Sequence, residues 1–194
     1  MPRPQAFDYD VALDQAIRLF WANGFSNTSI RDLLKVMEIG ESSFYNNWKS
    51  KTNLYRCCLE RYLETYATPW IKGLLEAPTA HEGFELFLDA IFVTQKDPSL
   101  PKGCLMARSL SSEVMDDPAL RDFINGKWNQ LQGLFISVLQ QGKEQGEYVE
   151  SFEPSSVASL FAIYMQGILR IVQFSDDLDH LRQGSSKMLA MMGI

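Results

Sequence analysis

Between Gly40 and Lys51 the chain reads ESSFYNNWKS, a run rich in side chains that can hydrogen-bond without carrying charge. At about 100° per residue, a helix here puts Phe44 and Trp48 on one face, with Glu41 and Asn47 beside it. Ser42, Ser43, Tyr45 and Asn46 fall on the other side. The apolar pair is expected to pack on Ile39, Leu33 and Phe20, leaving the polar set outside. An outward Asn can bind adenine through two hydrogen bonds, and a Ser can serve base edges or phosphates. Tyr45 can donate to a phosphate while its ring packs on the sugar-phosphate backbone. Thr28 and Ser29 stand at the start of the preceding helix, where unpaired amides and the helix dipole converge on an anion. Lys51 opens the following helix and offers a further phosphate contact. Arg3, between Pro2 and Pro4 in a short N-terminal arm, could enter a minor groove, the plainer reading being a disordered tail. Together these groups suit a reader of double-stranded DNA.

A second chemistry centres on Cys104, in the segment PSLPKGCLMARS. Free amides at a helix start, with Lys102 nearby, would lower the thiol pKa and favour an oxidisable or electrophile-reactive thiolate. Against this stands the ordinary fate of a cysteine as a buried packing group. Cys57 and Cys58 are neighbours on one helix, point to different sides and read as packing residues. Three cysteines are too few for a disulfide framework. The only histidines, His81 and His180, lie far apart without metal-ligand spacing, so no metal is expected. No glycine-rich phosphate loop is present, and no cofactor is expected. No general base is placed beside Cys104, which argues against an enzyme with that nucleophile.

These groups need elements to hold them. Hydrophobic residues make up 46% of the 194, enough for a real core and too many for disorder. The net charge of −6 is unevenly spread. Residues 1–55 carry six basic and six acidic side chains, whereas residues 56–194 carry twelve and eighteen. Only the N-terminal segment escapes electrostatic repulsion from a polyanion. The N-terminus lacks an apolar signal core, and Arg170 interrupts the most apolar stretch, Val157 to Phe174. The expectation is a soluble cytoplasmic protein with no membrane partner.

Apolar periodicity predicts an all-α chain of about nine helices. Asp8 or Asp10 caps the first, which runs to Asn23 and stops at Gly24. Thr28 caps the second, a turn at Glu38-Ile39-Gly40 follows, and the third covers Glu41 to Trp48. Ser50 caps a long fourth helix from Lys51 to about Leu75. Further helices are expected over Ala80–Lys96, Cys104–Glu113, Pro118–Glu147, Pro154–Phe174 and Asp176–Met192. Residues 1–50 thus read as a helix-turn-helix DNA-binding domain. Helix 51–75 links it to a ligand-binding and dimerisation bundle within 51–194. Trp70, Phe87, Cys104, Met106, Trp128, Phe135, Phe161 and Met165 are candidates to line an apolar effector pocket there, the plainer reading being packed core. The helix at 157–174 is apolar nearly all round, which fits burial on two sides.

Residues 7–55 resemble the N-terminal domain of the tetracycline-repressor (TetR) family of bacterial regulators. The resemblance is carried by the LFW and GF of the first helix, the TSI that opens the second, the SSFY of the third and the WKSK entry to the fourth. It implies an all-α homodimer, most often a repressor, with a variable C-terminal ligand domain and with its last two helices paired across the dimer. Residues 154–174 and 176–192 are accordingly expected to form the dimer interface, and the operator to be palindromic. KGCLMARS resembles a branch of the family with electrophile- and copper-responsive members. Glu38 stands where the family usually has glycine, so a positive φ there would strain the turn. Asn46 and Asn47 replace a common aromatic or histidine pair, so operator sequence does not transfer from relatives. The resulting expectation is a repressor released from its operator by an unknown small molecule or by modification of Cys104. A helical protein–protein module is the alternative, separable by the steep salt dependence of specific DNA binding.

Overall fold

The computed structural model describes residues 7–175 and 177–194. Every element it contains is helical. The chain forms two compact units. The first takes the chain up to Glu64 together with Cys104–Phe123, and the second takes Thr65–Gly103 with Ile124–Ile194.

In the first unit, α1 (Tyr9–Asn23) begins where the Asp8 carboxylate accepts from the amides of Asp10 and Val11. It buries Leu13, Ile17, Phe20 and Trp21, an i, i+4, i+7, i+8 stripe, and ends at Gly24 with φ 81°. α2 (Ile30–Met37) is capped by Ser29 and not by Thr28. The Thr28 side chain is fully buried and its hydroxyl donates to the Gly24 carbonyl at 2.7 Å, so the next residue does the capping. Ser29 and Asp32 make a reciprocal capping box. Glu38 then takes the left-handed conformation, φ 54° and ψ 40°, and turns the chain into α3 (Glu41–Asn47). α4 (Lys51–Tyr62) starts at the Ser50 cap. Two short helices, α7 (Leu105–Arg108) and α8 (Ser112–Asp116), occupy the span expected as one helix over Cys104–Glu113. The Ser109 hydroxyl turns back onto the Leu105 carbonyl at 2.8 Å, and Ser111 is extended, which breaks the run.

The expected helix 51–75 is likewise interrupted. After α4 comes a π-helical turn over Leu63–Ala67, then α5 (Thr68–Glu76), with Pro69 in its first turn. The second unit continues with α6 (Ala80–Lys96), capped by Thr79 and by the Glu147 carboxylate, which accepts from Ala80 N. α9 (Pro118–Glu144), whose residues from Ile124 onward belong to this unit, stops before the expected Glu147 and is followed by a turn with Gly146 at φ 84°. α10 (Pro154–Ile171) ends short of Phe174. Asp176, expected to open the last helix, lies outside the described residues; α11 (Leu178–Met192) is capped by Asp177. Counting α4, the π turn and α5 as one interrupted helix, the described residues form ten helices against about nine expected. The core of this unit is aromatic. Phe84, Phe87, Phe135 and Phe161 meet mostly edge to face, with centroids 4.6 to 5.9 Å apart.

Candidate nucleic-acid interface

The exposed face of α3 follows from what its other face buries. Phe44 and Trp48 are buried with Leu33 and Phe20, and the Trp48 indole N–H donates to the Tyr9 hydroxyl at 3.1 Å. The Tyr9 and Trp48 rings stack at 5.1 Å. With the helix pinned this way, Ser42, Tyr45 and Asn46 are exposed and Ser43 is half-buried. Tyr45 sets its ring edge to face against Phe44, centroids 5.2 Å apart, while keeping 46% of its surface open. The Asn46 amide reaches Ser42 Oγ only at 3.5 Å, a weak contact that leaves both groups available to an incoming acceptor or donor. The Asn47 amide is turned back to the Ser43 carbonyl at 2.8 Å.

The start of α2 offers less to an anion than its hydroxyls suggest. The Ser29 hydroxyl donates to Asp32 Oδ2 at 2.6 Å, and the Ser29 amide donates to the same oxygen at 3.2 Å. These bonds hold the Asp32 carboxyl below its ordinary range and keep a negative charge at the helix start. Thr28 presents backbone only, its side chain being buried. The Lys51 ammonium, expected at a phosphate, donates to the carbonyls of Phe25 at 2.9 Å and Thr28 at 3.0 Å. Arg3 lies outside the described residues. Three cations passed over in reading the sequence, Arg31, Lys35 and Lys49, are exposed on the same unit. Their signal was the polar face of α2 and the turn after Trp48, where Lys49 has φ 65°.

The eight pocket candidates divide between the two units. Cys104 and Met106 belong to the first unit and the other six to the second. Phe87, Phe135 and Phe161 are packed ring to ring, Trp70 leans on Phe87 and donates to Thr94 Oγ1 at 3.0 Å, Met165 is buried and Trp128 is half-buried. A groove of about 460 Å3 opens elsewhere in the second unit, between α6 and α11. Its walls include Leu88, Phe92 and Leu189 and the Asp89–Arg182 ion pair, whose shortest contact is 2.6 Å.

Cys104 is buried, as the packing reading of it expects. It is the N-cap of α7, as a helix-start thiol should be. Burial nevertheless pushes its pKa up, against the opposing pull of the Tyr62 hydroxyl and the Met106 and Ala107 amides. Four residues of helix provide too small a dipole to offset full desolvation of a thiolate. Cys58 is buried and raised in the same way, while Cys57 is half-buried beside Tyr9. Among the described residues no cluster of His, Cys, Asp or Glu is arranged to hold a metal ion, and no helix is long and apolar enough to cross a membrane.

Comparison with known proteins addresses both ends of the chain. Residues 12–57 match the family described as bacterial regulatory proteins, tetR family, and residues 83–188 match the tetracyclin repressor-like C-terminal domain. The chain is 24% identical over 182 residues to the HTH-type transcriptional repressor ComR of Escherichia coli K12, covering 93% of this chain and 87% of that protein. It is 28% identical over 187 residues to the uncharacterized HTH-type transcriptional regulator YezE of Bacillus subtilis 168, covering 94% of each. A cysteine mutant of the TetR family transcriptional regulator CifR, solved with a 26-base-pair operator duplex, superposes with a TM-score of 0.85. That structure is 26% identical and is matched over 98% of both chains.

Proposed function

The chain belongs to the tetR family of bacterial regulatory proteins and is a DNA-binding transcriptional regulator, and we propose that it acts as a homodimeric, effector-released repressor. In this reading residues 1–50 bind the operator. Ser42, Ser43, Tyr45 and Asn46 meet the major groove, and the start of α2 at Thr28 and Ser29 meets the phosphates. Residues 51–194 bind the effector and dimerise, and the protein works in the cytoplasm. The observation that carries the reading is the split of α3 between a buried Phe44–Trp48 face and an open Ser42–Tyr45–Asn46 face.

The dimer is formed by α10 and α11. Leu160, Ile163 and Ile171 recur on one side of α10 and are 53%, 69% and 49% exposed, and Met191 on α11 is 80% exposed. Apolar side chains so open at helical spacing fit a second copy of the chain. Two-fold symmetry then calls for a palindromic operator with half-sites about one helical turn apart, or a multiple of that. The effector is a small molecule or a modification of Cys104, and burial, which raises the thiol pKa, works against the thiolate that the second route uses. A coupling of about 1–3 kcal/mol between effector and operator binding lowers affinity roughly 5- to 150-fold.

The test is selection of bound duplexes from a random DNA pool at moderate salt. Enrichment of a palindrome is the expected result. Failure to enrich any sequence, with the protein folded and dimeric, would overturn operator reading by the effector-free protein.

A further inference from the structure

The loop between α1 and α2, which delivers the chain to the start of α2, is gripped by groups that follow the three-helix head in sequence. Lys51 Nζ spends two of its three donors on the Phe25 and Thr28 carbonyls and lies 4.1 Å above the Phe25 ring. The Phe25 ring packs on Tyr55, centroids 4.9 Å apart. Tyr55 in turn lies with its hydroxyl 2.7 Å from Ser109 Oγ in a buried pair. Since Ser109 Oγ gives its own proton to the Leu105 carbonyl, Tyr55 is the donor. On the outer side, the Glu113 carboxylate of α8 hydrogen-bonds Ser26 and adds a favourable charge for Lys51. Every group in this chain lies in the first unit.

We propose that Lys51 is a clamp on the α1–α2 loop rather than a phosphate ligand, and that Glu113 is a positioning residue acting through Lys51 and Ser26, so that α8 helps to set DNA affinity. This rests on the DNA-reading assignment above. Two carbonyl oxygens and an aromatic face already satisfy most of the ammonium, and leaving them for a phosphate would release the loop. The Glu113 carboxylate has a sign that makes its role readable. Removing an acidic charge near a polyanion by itself strengthens binding. A loss of affinity on removing it is the outcome that a positioning role gives.

The experiment measures binding of the full-length protein to a duplex enriched by the wild type, across a salt series, for Lys51→Met, Glu113→Gln and the double variant. Loss of a charge-assisted hydrogen-bonded group should weaken Lys51→Met about tenfold, and Glu113→Gln by a few-fold. The slope of log affinity against log salt should stay at its wild-type value, and the double variant should bind no worse than Lys51→Met alone. A slope reduced by about 0.9 in Lys51→Met would mark a lost phosphate contact and overturn the proposal. So would tighter or unchanged binding by Glu113→Gln, or additive losses. Hydrogen exchange of residues 25–29 in the same proteins provides a readout that needs no DNA. Faster exchange in both single variants is expected, and unchanged exchange would overturn the clamp even if the wild type enriched no duplex and the DNA-reading assignment fell. If Lys51→Met fails to fold, Glu113→Gln and Ser26→Ala, both at exposed positions, carry the same comparisons.

Discussion

The Trp48 indole N–H donates to the Tyr9 hydroxyl at 3.1 Å while the two rings stack at an interplanar angle of 22°. The C-cap residue of the proposed DNA-reading helix is thereby tied to the first residue of α1. Tyr9→Phe keeps the stack and leaves the indole without that acceptor. It should cost about 1 kcal/mol of stability, read as a lower denaturant midpoint with an unchanged slope.

Tyr45→Ala and Asn46→Ala test the other face of α3. Both side chains are exposed, so neither change should unfold the protein or dissociate the dimer. Each is expected to abolish specific duplex binding in a mobility-shift assay. Retained specific affinity in both would remove α3 as the reading element.

Glu38 holds φ 54° at the turn between α2 and α3. Any side chain with a Cβ is strained there by roughly 1 kcal/mol relative to glycine. Glu38→Gly should therefore raise the melting temperature, and Glu38→Ala should not. A clear fall in melting temperature for the glycine variant would show that the Glu38 side chain contributes more than the strain costs.

A charge in the middle of the open α10 stripe should separate the protomers. Ile163→Asp is expected to give a folded monomer by analytical ultracentrifugation, because Ile163 is 69% exposed in the single chain. A dimer that survives both Ile163→Asp and Leu160→Asp would place the interface elsewhere.

The cysteines give a pH-dependent prediction. Cys58 and Cys104 have raised folded-state pKa values, caused first by burial, and the Tyr55 hydroxyl is raised for the same reason. Their neutral forms favour the fold. For the thiols this contribution is fully present below the unfolded value of about 8.5 and is lost as pH rises through the folded values. Stability should fall on the alkaline side of about pH 9. Under native conditions at neutral pH, half-buried Cys57 should alkylate before Cys104, as read by peptide mass spectrometry. Faster labelling of Cys104 would favour release through its modification.

Much of the first three helices was legible because their ends are written locally. Asp8, Gly24, Gly40 and Ser50 each act at the position they occupy, whatever the rest of the chain does. The failures came where two local signals compete or a distant partner decides. Thr28 and Ser29 are equally good caps on paper, and burial of Thr28 against the preceding turn chose between them. The π turn at Leu63–Ala67 is hidden because apolar periodicity runs through it with only a small phase change. Cys104 was correctly put at a helix start, but the desolvation that controls its thiol comes from contacts that no neighbouring residue announces. The grip of Lys51 on Phe25 and Thr28 spans more than twenty residues of sequence, and nothing in the WKSK motif distinguishes it from a phosphate contact.

The first unit is discontinuous, taking residues up to 64 and then 104–123. On the ribosome its opening helices therefore emerge well before the residues that complete them. At about 5–20 residues per second, the intervening 39 residues take roughly 2–8 s to synthesise. During that interval Tyr55 lacks Ser109 and Tyr62 lacks Cys104, so aromatic surface destined for burial stays open. A nascent chain halted before residue 104 should be cleaved by protease within residues 7–64, and one extended past residue 123 should be protected in that segment.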